Sequence, residues 1–225
     1  MKSFQDQKSL ILSYYDELEA ASAGSVKKVI SQFAAPDFKW YGVYPFNEQN
    51  GGDAVAEVFW IPFLSAWSNV QRRQDVFLAG INEIDNAVWV ISMGHFMGLL
   101  DGNWLGLPAS RKMTFLRYAD FNCIQDGKIV KGSFFCDLIG FINQLGINPL
   151  PPQTGASFIC PVPRTHDGLL FQSQDQRESK KTLDLVNRMI GDLTDLNKTE
   201  NDCPPPELLA KTWHDDMIWY GPAGI

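Results

Sequence analysis

The tripeptide Trp-Tyr-Gly occurs twice in the chain, at residues 40–42 and 219–221. Each copy follows a segment of helical character that ends in acidic turn residues, at 33–38 and 212–217. A pattern repeated at a domain-sized distance indicates a duplicated domain. We therefore expect a complete domain over residues 1–148 and a Pro-rich linker over 149–178. Residues 179–225 are expected to form the helices and first strand of an incomplete second copy.

The composition is that of an ordinary globular protein, since 45% of the residues are hydrophobic and 12% are aromatic. The net charge is −7 and the basic residues come at most in pairs, so nucleic acid is not an expected partner. The four cysteines are widely spaced and the N-terminus lacks an apolar signal segment, which favours a cytoplasmic protein with free thiols. The apolar stretches are interrupted well before the length of a membrane span, so no membrane association is expected.

Hydrophobic periodicity predicts three helices near the start of the chain, at 10–21, 26–33 and 53–67, with Pro62 kinking or restarting the third. A strand is predicted at 38–42. Four later segments are rich in aromatic and β-branched residues and are separated by turn signals, at 75–84, 87–97, 112–123 and 128–139. These segments predict an antiparallel meander. We therefore expect an α+β fold in which helices cover the concave side of a curved antiparallel sheet and enclose a pocket.

Several short motifs occur in a characteristic order. Asp-Gly-Lys-Ile-Val at 126–130 is followed by Asp137 and by Gln-Leu-Gly at 144–146; Gly-His at 94–95 and Gly-Leu-Pro at 106–108 precede them. Together with Trp-Tyr-Gly, this order resembles the SnoaL-like polyketide cyclase family, within the superfamily named after nuclear transport factor 2. The resemblance covers residues 1–150, and 180–225 as an incomplete start. It implies a cone-shaped α+β barrel wrapped by N-terminal helices.

The resemblance also implies a chemistry, namely acid/base catalysis on a polyketide-like or other carbonyl compound without a cofactor or metal. Asp137 would be the base and His95 would assist it. Where these cyclases tend to have Trp four residues before the carboxylate, this chain has Ser133, so we expect a different pocket shape.

The residues themselves leave two interpretations of each catalytic candidate. Asp137 lies among apolar neighbours at 134–139, where desolvation would raise its pKa toward the range of a base. The alternative is a structural hydrogen bond or a position facing solvent. His95 shares a face with Met93 by strand alternation, which would point both into the pocket, but a buried core histidine is an equal alternative.

Five residues are candidates for the substrate-binding shell: Trp40, Tyr41, Met93, Arg117 and Phe135. Trp40 and Tyr41 point to opposite faces of their strand, so at most one of them lines the pocket. A buried Arg117 needs an anion, which is either a substrate group or an internal carboxylate, Asp120 or Asp137.

Two classes of function follow. The first is a cyclase or isomerase acting on a small apolar carbonyl ligand, or a dehydratase or hydrolase of the same superfamily. The second is a non-catalytic ligand-binding or dimerisation module of the same fold, with a homodimer or a pairing of the two copies as the assembly. An ion pair between Asp137 and Arg117 would favour the second class, because a neutralised carboxylate is a poor base.

Overall fold

A computed structural model describes residues 4–148, 162–163, 165–196 and 205–218. The chain divides into two compact units, with the boundary between Phe171 and Gln172. The first unit opens with two helices, α1 (Gln5–Ala20) and α2 (Val26–Phe33), followed by strands β1 (Ala34–Gly42) and β2 (Glu48–Asn50). These are the first two helices and the first strand that the hydrophobic pattern predicts.

The third predicted helix forms as three consecutive pieces. They are α3 (Gly52–Val55), a π-helical turn (Ala56–Trp60) and α4 (Ile61–Ala66). Pro62 lies in the first turn of α4, where an amide N–H has no intrahelical partner and its absence costs little. The helical segment therefore restarts at the proline rather than ending there.

Four long strands follow, β3 (Trp67–Ile81), β4 (Val88–Leu100), β5 (Met113–Gln125) and β6 (Lys128–Cys136), and helix α5 (Leu138–Gln144) comes after them. The six strands form one sheet in the order β2-β1-β6-β5-β4-β3. The sheet is mixed, because β1 runs parallel to β6 while the other neighbours are antiparallel. The prediction of a wholly antiparallel sheet was wrong at β1, since the α3–α4 segment, and not a hairpin, carries the chain from β1 and β2 to the opposite edge.

Two strand boundaries differ from prediction for local reasons. β3 begins at Trp67 rather than near 75; the prediction did not include its first half, because that part is rich in polar and charged residues, which are typical of a loop. β6 ends at Cys136 rather than Ile139, because Asp137 is the N-cap of α5 and its Oδ1 accepts a hydrogen bond from the Gly140 amide at 2.8 Å. Satisfying an amide of the first helical turn fixes the start of the helix there.

The core lies between the helices and one face of the sheet, which we call the inner face. Phe59 and Phe63 from the helical segment contact Phe96 of β4 and Phe134 of β6, with ring centroids 4.9 to 5.4 Å apart where they pair. The opposite, outer face carries the alternate residues of the same strands. Strand alternation thus assigns every sheet residue to one of two distinct environments.

The predicted linker, 149–178, lies partly outside the described residues. In its described part, the Gly168 carbonyl accepts a hydrogen bond from the Phe77 amide of β3 at 2.8 Å, and the Leu170 amide donates to the Phe77 carbonyl at 2.7 Å. The Lys8 ammonium donates to the Leu170 carbonyl. Residues 168–170 therefore pair with the exposed edge of the sheet at β3.

The second unit contains α6 (Gln176–Leu196) and α7 (Pro205–Leu209), where the helices of a second copy are predicted. Apolar side chains of α6 are partly exposed, including Leu183 at 38% and Ile190 at 53%. The second Trp-Tyr-Gly, at 219–221, lies outside the described residues, so the duplication stays a prediction. No helix in the described parts of the chain is both long and apolar enough to cross a bilayer.

Candidate functional site

A narrow cleft opens on the inner face, between helices α1 and α4 and strands β3 and β4, and its volume of about 20 Å³ is enough for about one water molecule. Its walls are mostly apolar. They are formed by Tyr15, Leu18, Glu19, Trp60, Leu64, Val70, Arg72 and Phe96. Two of these residues carry charge: Glu19 is exposed, whereas the Arg72 side chain is only 4% exposed. The cleft is therefore an apolar recess with a cation in its wall.

Arg72 is held by aromatic rings. Its Cζ lies 3.8 Å from the ring centroid of Tyr15 and 4.7 Å from those of Phe96 and Tyr118. Cation–π contacts of this kind stabilise the charge but accept no hydrogen bond. Nη1 and Nη2 are buried and have no hydrogen-bond partner among the residues that the structure describes. Buried guanidinium donors are normally paired, so this group has free capacity to bind an acceptor.

Asp120 lies beside this cation. Its Oδ2 is 3.8 Å from Arg72 Nη1 and accepts a hydrogen bond from the Tyr15 hydroxyl at 2.8 Å. Asn122 donates to the same hydroxyl at 3.2 Å. Burial raises the pKa of Asp120, and the charge of Arg72 offsets only part of that increase. Burial and the neighbouring carboxylate also raise the pKa of Tyr15, so its hydroxyl stays protonated.

Tyr118 completes the polar group. Its hydroxyl lies 2.9 Å from Ser92 Oγ, which also accepts from Gln74 Nε2 at 3.0 Å. Burial raises the pKa of Tyr118 while the charge of Arg72 opposes the increase; the hydroxyl is near the guanidinium but forms no hydrogen bond of ordinary geometry with it. A carboxyl of raised pKa can exchange a proton, and the guanidinium beside it can stabilise an oxyanion.

The predicted site residues lie mostly on the outer face, away from this cleft. His95 is directly opposite Arg117 in the β4–β5 register, and Met93 is opposite Ala119, which in turn pairs with Phe135. Phe135 is 52% exposed. The alternation argument grouped these residues correctly, but the helices cover the other face of the sheet.

Trp40 and Tyr41 lie on opposite faces as predicted. Tyr41 is 41% exposed and opposite Ser133 in the β1–β6 register, which places it on the outer face. Trp40 is 5% exposed and stacks on Phe134 with ring centroids 6.0 Å apart. It belongs to the core and is not part of the cleft lining.

Asp137 and Arg117 form an ion pair. Arg117 Nε donates to Asp137 Oδ2 at 2.9 Å and Nη2 donates to the same oxygen. The anion of Arg117 is therefore the internal carboxylate at 137, one of the two alternatives left open by the sequence. His95 Nδ1 lies 3.8 Å from Asp75 Oδ2. The structure brings His95, Arg117 and Asp137 together on the outer face, and their catalytic roles stay predictions.

Sequence reasoning missed Arg72 and the role of Asp120. A signal was present in β5, where alternation places Tyr118, Asp120 and Asn122 on one face among apolar residues. The signal for Arg72 was absent, because it is followed by the exposed Arg73 and the pair is typical of a solvated surface. Within the described residues, no group of three or more His, Cys, Asp or Glu side chains is placed to hold a metal ion.

Comparison with solved structures identifies the architecture. AclR, a putative hydroxylase from Streptomyces galilaeus, matches with a TM-score of 0.51 and 20% identity over 67% of this chain and 87% of its own. A putative SnoaL-like polyketide cyclase from Jannaschia sp. CCS1 matches with a TM-score of 0.47 and 18% identity over 67% of this chain and 95% of its own. The likeness to AclR shows that the two chains share a fold.

IdmH, a putative polyketide cyclase from Streptomyces antibioticus, matches with a TM-score of 0.49 and 14% identity, over 62% of this chain and 97% of its own. No family model and no curated protein matches the sequence. At these identities the similarity concerns the fold alone. The chemistry of the first unit has to be argued from its own side chains.

Proposed function

We propose that the SnoaL-like unit binds a small apolar carbonyl compound in the inner-face cleft and transfers a proton on it, as a cofactor-free isomerase or cyclase does. The observation that carries this proposal is the buried Arg72 guanidinium, whose Nη1 and Nη2 have no hydrogen-bond partner among the described residues. A carbonyl oxygen entering the cleft satisfies these donors. We place the carbon next to the carbonyl beside Asp120, whose Oδ2 is 3.8 Å from Nη1. Asp120 lies behind the residues that line the cleft, so the cleft has to widen for the ligand to reach it.

The proposed reaction begins at that carbon. Asp120 takes a proton from it, the C–H electron pair forms a C=C bond while the carbonyl π pair moves onto oxygen, and Arg72 stabilises the resulting enolate. Return of the proton to a different carbon isomerises the compound; attack of the enolate carbon on a second carbonyl closes a ring, and the alkoxide formed then takes the proton. The raised pKa of Asp120 makes its carboxylate a stronger base than an exposed aspartate.

Non-catalytic binding in the same cleft is the second candidate. It is favoured by the hydrogen bond that Asp120 Oδ2 already accepts from Tyr15 at 2.8 Å, which occupies one lone pair of the proposed base. Both candidates place the ligand at Arg72. They differ in whether the carboxylate moves a proton.

Hydrogen–deuterium exchange separates the two. Cyclic ketones are incubated with the protein in deuterium oxide, and incorporation next to the carbonyl is followed by mass spectrometry. Asp120→Asn should lower the exchange rate by about 10²-fold or more, the usual contribution of a general base. Asp75 is a carboxylate on the outer face, so Asp75→Asn serves as the matched control and should catalyse ketone exchange at the wild-type rate.

Exchange that survives Asp120→Asn would contradict the assignment of the base. If His95→Gln removes the exchange while Asp120→Asn does not, the outer-face residues predicted from the sequence hold the reaction instead. If the wild type binds ketones without exchange, the protein is a binding module.

A further inference from the structure

We infer that residues 168–171 act as a strap that keeps the inner-face cleft narrow, and that their release from β3 opens the cleft. The cleft has a volume of about 20 Å³, so a carbonyl compound enters only after its walls have moved apart. The inference rests on the proposed function, because it concerns the regulation of the same site. It goes further in naming the segment of the chain that controls entry.

The walls that have to separate are α1 and β3. Helix α1 contributes Tyr15, Leu18 and Glu19 to the cleft lining, and β3 contributes Val70 and Arg72. A close-packed interior does not stretch gradually, so the cleft widens when α1 moves away from the strand as a unit. Contacts that tie α1 to β3 elsewhere along the helix therefore hold the cleft closed.

The strap ties α1 to β3 through a chain of hydrogen bonds. The Lys8 ammonium of α1 donates to the Leu170 carbonyl, and the Leu170 amide donates to the Phe77 carbonyl of β3 at 2.7 Å. The Phe77 amide donates in turn to the Gly168 carbonyl at 2.8 Å. Lys8 and Tyr15 are both buried on one side of α1, roughly 10 Å apart along the helix axis. The strap thus acts on the helix about two turns away from the cleft.

Side chains reinforce this attachment. The ring centroids of Phe171 and Phe77 are 5.2 Å apart, and Leu169 packs against the core. Gly168 has no room for a side chain, because an added Cβ would lie 2.8 Å from the Asp75 carbonyl oxygen. The strap is nevertheless short, and it joins the sheet by an isolated bridge between Phe77 and Leu169. Segments with so few contacts open locally at a low free energy, so the strap can detach while the sheet stays folded.

A ligand in the cleft does not replace the hydrogen bonds of the strap. It can replace the bond from the Tyr15 hydroxyl to Asp120, which holds α1 beside the cleft at 2.8 Å, because the ligand lies against Asp120. The bonds at Lys8 and Phe77 lie about two helical turns away. The strap therefore sets the fraction of molecules with an open cleft, and the apparent affinity for a ligand is reduced by that fraction.

Gly168→Ala tests the inference, because the added Cβ displaces the strap from β3. In the full chain, the Phe77 amide should exchange its hydrogen faster. Methyl relaxation dispersion at Leu64 and Val70, measured without ligand, should increase. The dissociation constant of cyclohexanone should fall at least tenfold (~1.4 kcal/mol), as expected for a tenfold larger open fraction. Gly80→Ala in β3, with open space around the new Cβ, is the matched control and should leave all three measurements at their wild-type values.

Lys8→Met is a second variant, which removes the donor that joins α1 to the strap. It should also increase the dispersion and tighten cyclohexanone binding, including where Gly168→Ala does not fold. Dispersion at Leu64 and Val70 that stays at the wild-type value in both variants would overturn the inference, as would an equal change in Gly80→Ala.

The same measurements separate the strap from the proposed function. If cyclohexanone shifts the cleft methyl groups with the same affinity in every variant, the strap does not control entry and the proposed function stands. If the dispersion rises in Gly168→Ala and Lys8→Met while no ketone binds or exchanges deuterium, the strap controls the cleft and the proposed function fails.

Discussion

Replacing Asp137 by Asn tests whether this carboxylate stabilises the fold. Asp137 accepts hydrogen bonds from the Gly140 amide and from Nε and Nη2 of Arg117. Asparagine has nearly the same size and is itself a good N-cap, so the α5 cap is retained. The substitution therefore removes the charge that faces Arg117 and little else.

The burial of both partners sets the size of the expected loss in the free energy of unfolding. The side chains of Arg117 and Asp137 are 15% and 6% exposed. Removing one partner of a buried ion pair costs about 3 to 5 kcal/mol, because the other charge is left buried and unpaired. The partial exposure of Arg117 places the expected loss at the lower end, about 3 kcal/mol. Asp137→Ala should lose about 1 kcal/mol more, since it also removes the cap.

Equilibrium unfolding in urea, followed by tryptophan fluorescence, measures these losses. A double-mutant cycle with Arg117→Met isolates the pair, and the coupling energy should reach about 2 kcal/mol, within the range for residues in contact. If the free energy of unfolding of Asp137→Asn lies within about 1 kcal/mol of the wild-type value, the structural role of Asp137 is refuted. Loss of ketone exchange in such a stable variant would instead support the catalytic role predicted from the sequence.

Three further predictions concern the inner face and the sheet. The folded-state pKa of Asp120 is raised, so its contribution to stability is present below the unfolded pKa of about 3.9 and is lost as the pH rises through the folded pKa. In that pH window the free energy of unfolding, measured in urea, should vary less with pH for Asp120→Asn than for the wild type. In Gly168→Ala the new Cβ would lie 2.8 Å from a backbone oxygen of β3, so hydrogen exchange should show a less protected Phe77 amide. Gly94→Ala would place Cβ 1.9 Å from another β3 carbonyl oxygen and should lower the melting temperature strongly, whereas Gly80→Ala, with open space around it, should not.

The sequence predicts the elements of the fold because their periodicities are strong. The helical spacing of Ile11, Tyr14, Tyr15 and Leu18 matches the buried side of α1, and the turn at 126–127 separates two strands as expected. Strand direction is not encoded in this way, since β1 pairs with a strand far along the chain and nothing local relates the two. Long-range pairing was therefore the part of the topology that the pattern left open.

The local structure at Asp137 could not be predicted from its neighbours. Its neighbours are apolar on both sides, which is typical of a buried strand, but the same residues fit the first turn of a helix with an acidic N-cap. Asp120, by contrast, lies in a strand that was predicted correctly. Its role depends on Tyr15, which is distant in sequence and reaches it only through the packing of α1 on the sheet.

Methyl NMR tests most directly the claim that the inner-face cleft is the ligand site. The full chain, labelled at Leu, Val and Met methyl groups, is titrated with cyclohexanone. Leu64 and Val70 line the cleft, while Met93 and Met113 lie on the outer face. We expect saturable shifts at Leu64 and Val70 and unchanged signals at Met93 and Met113. Shifts at Met93 and Met113, with Leu64 and Val70 unchanged, would contradict it.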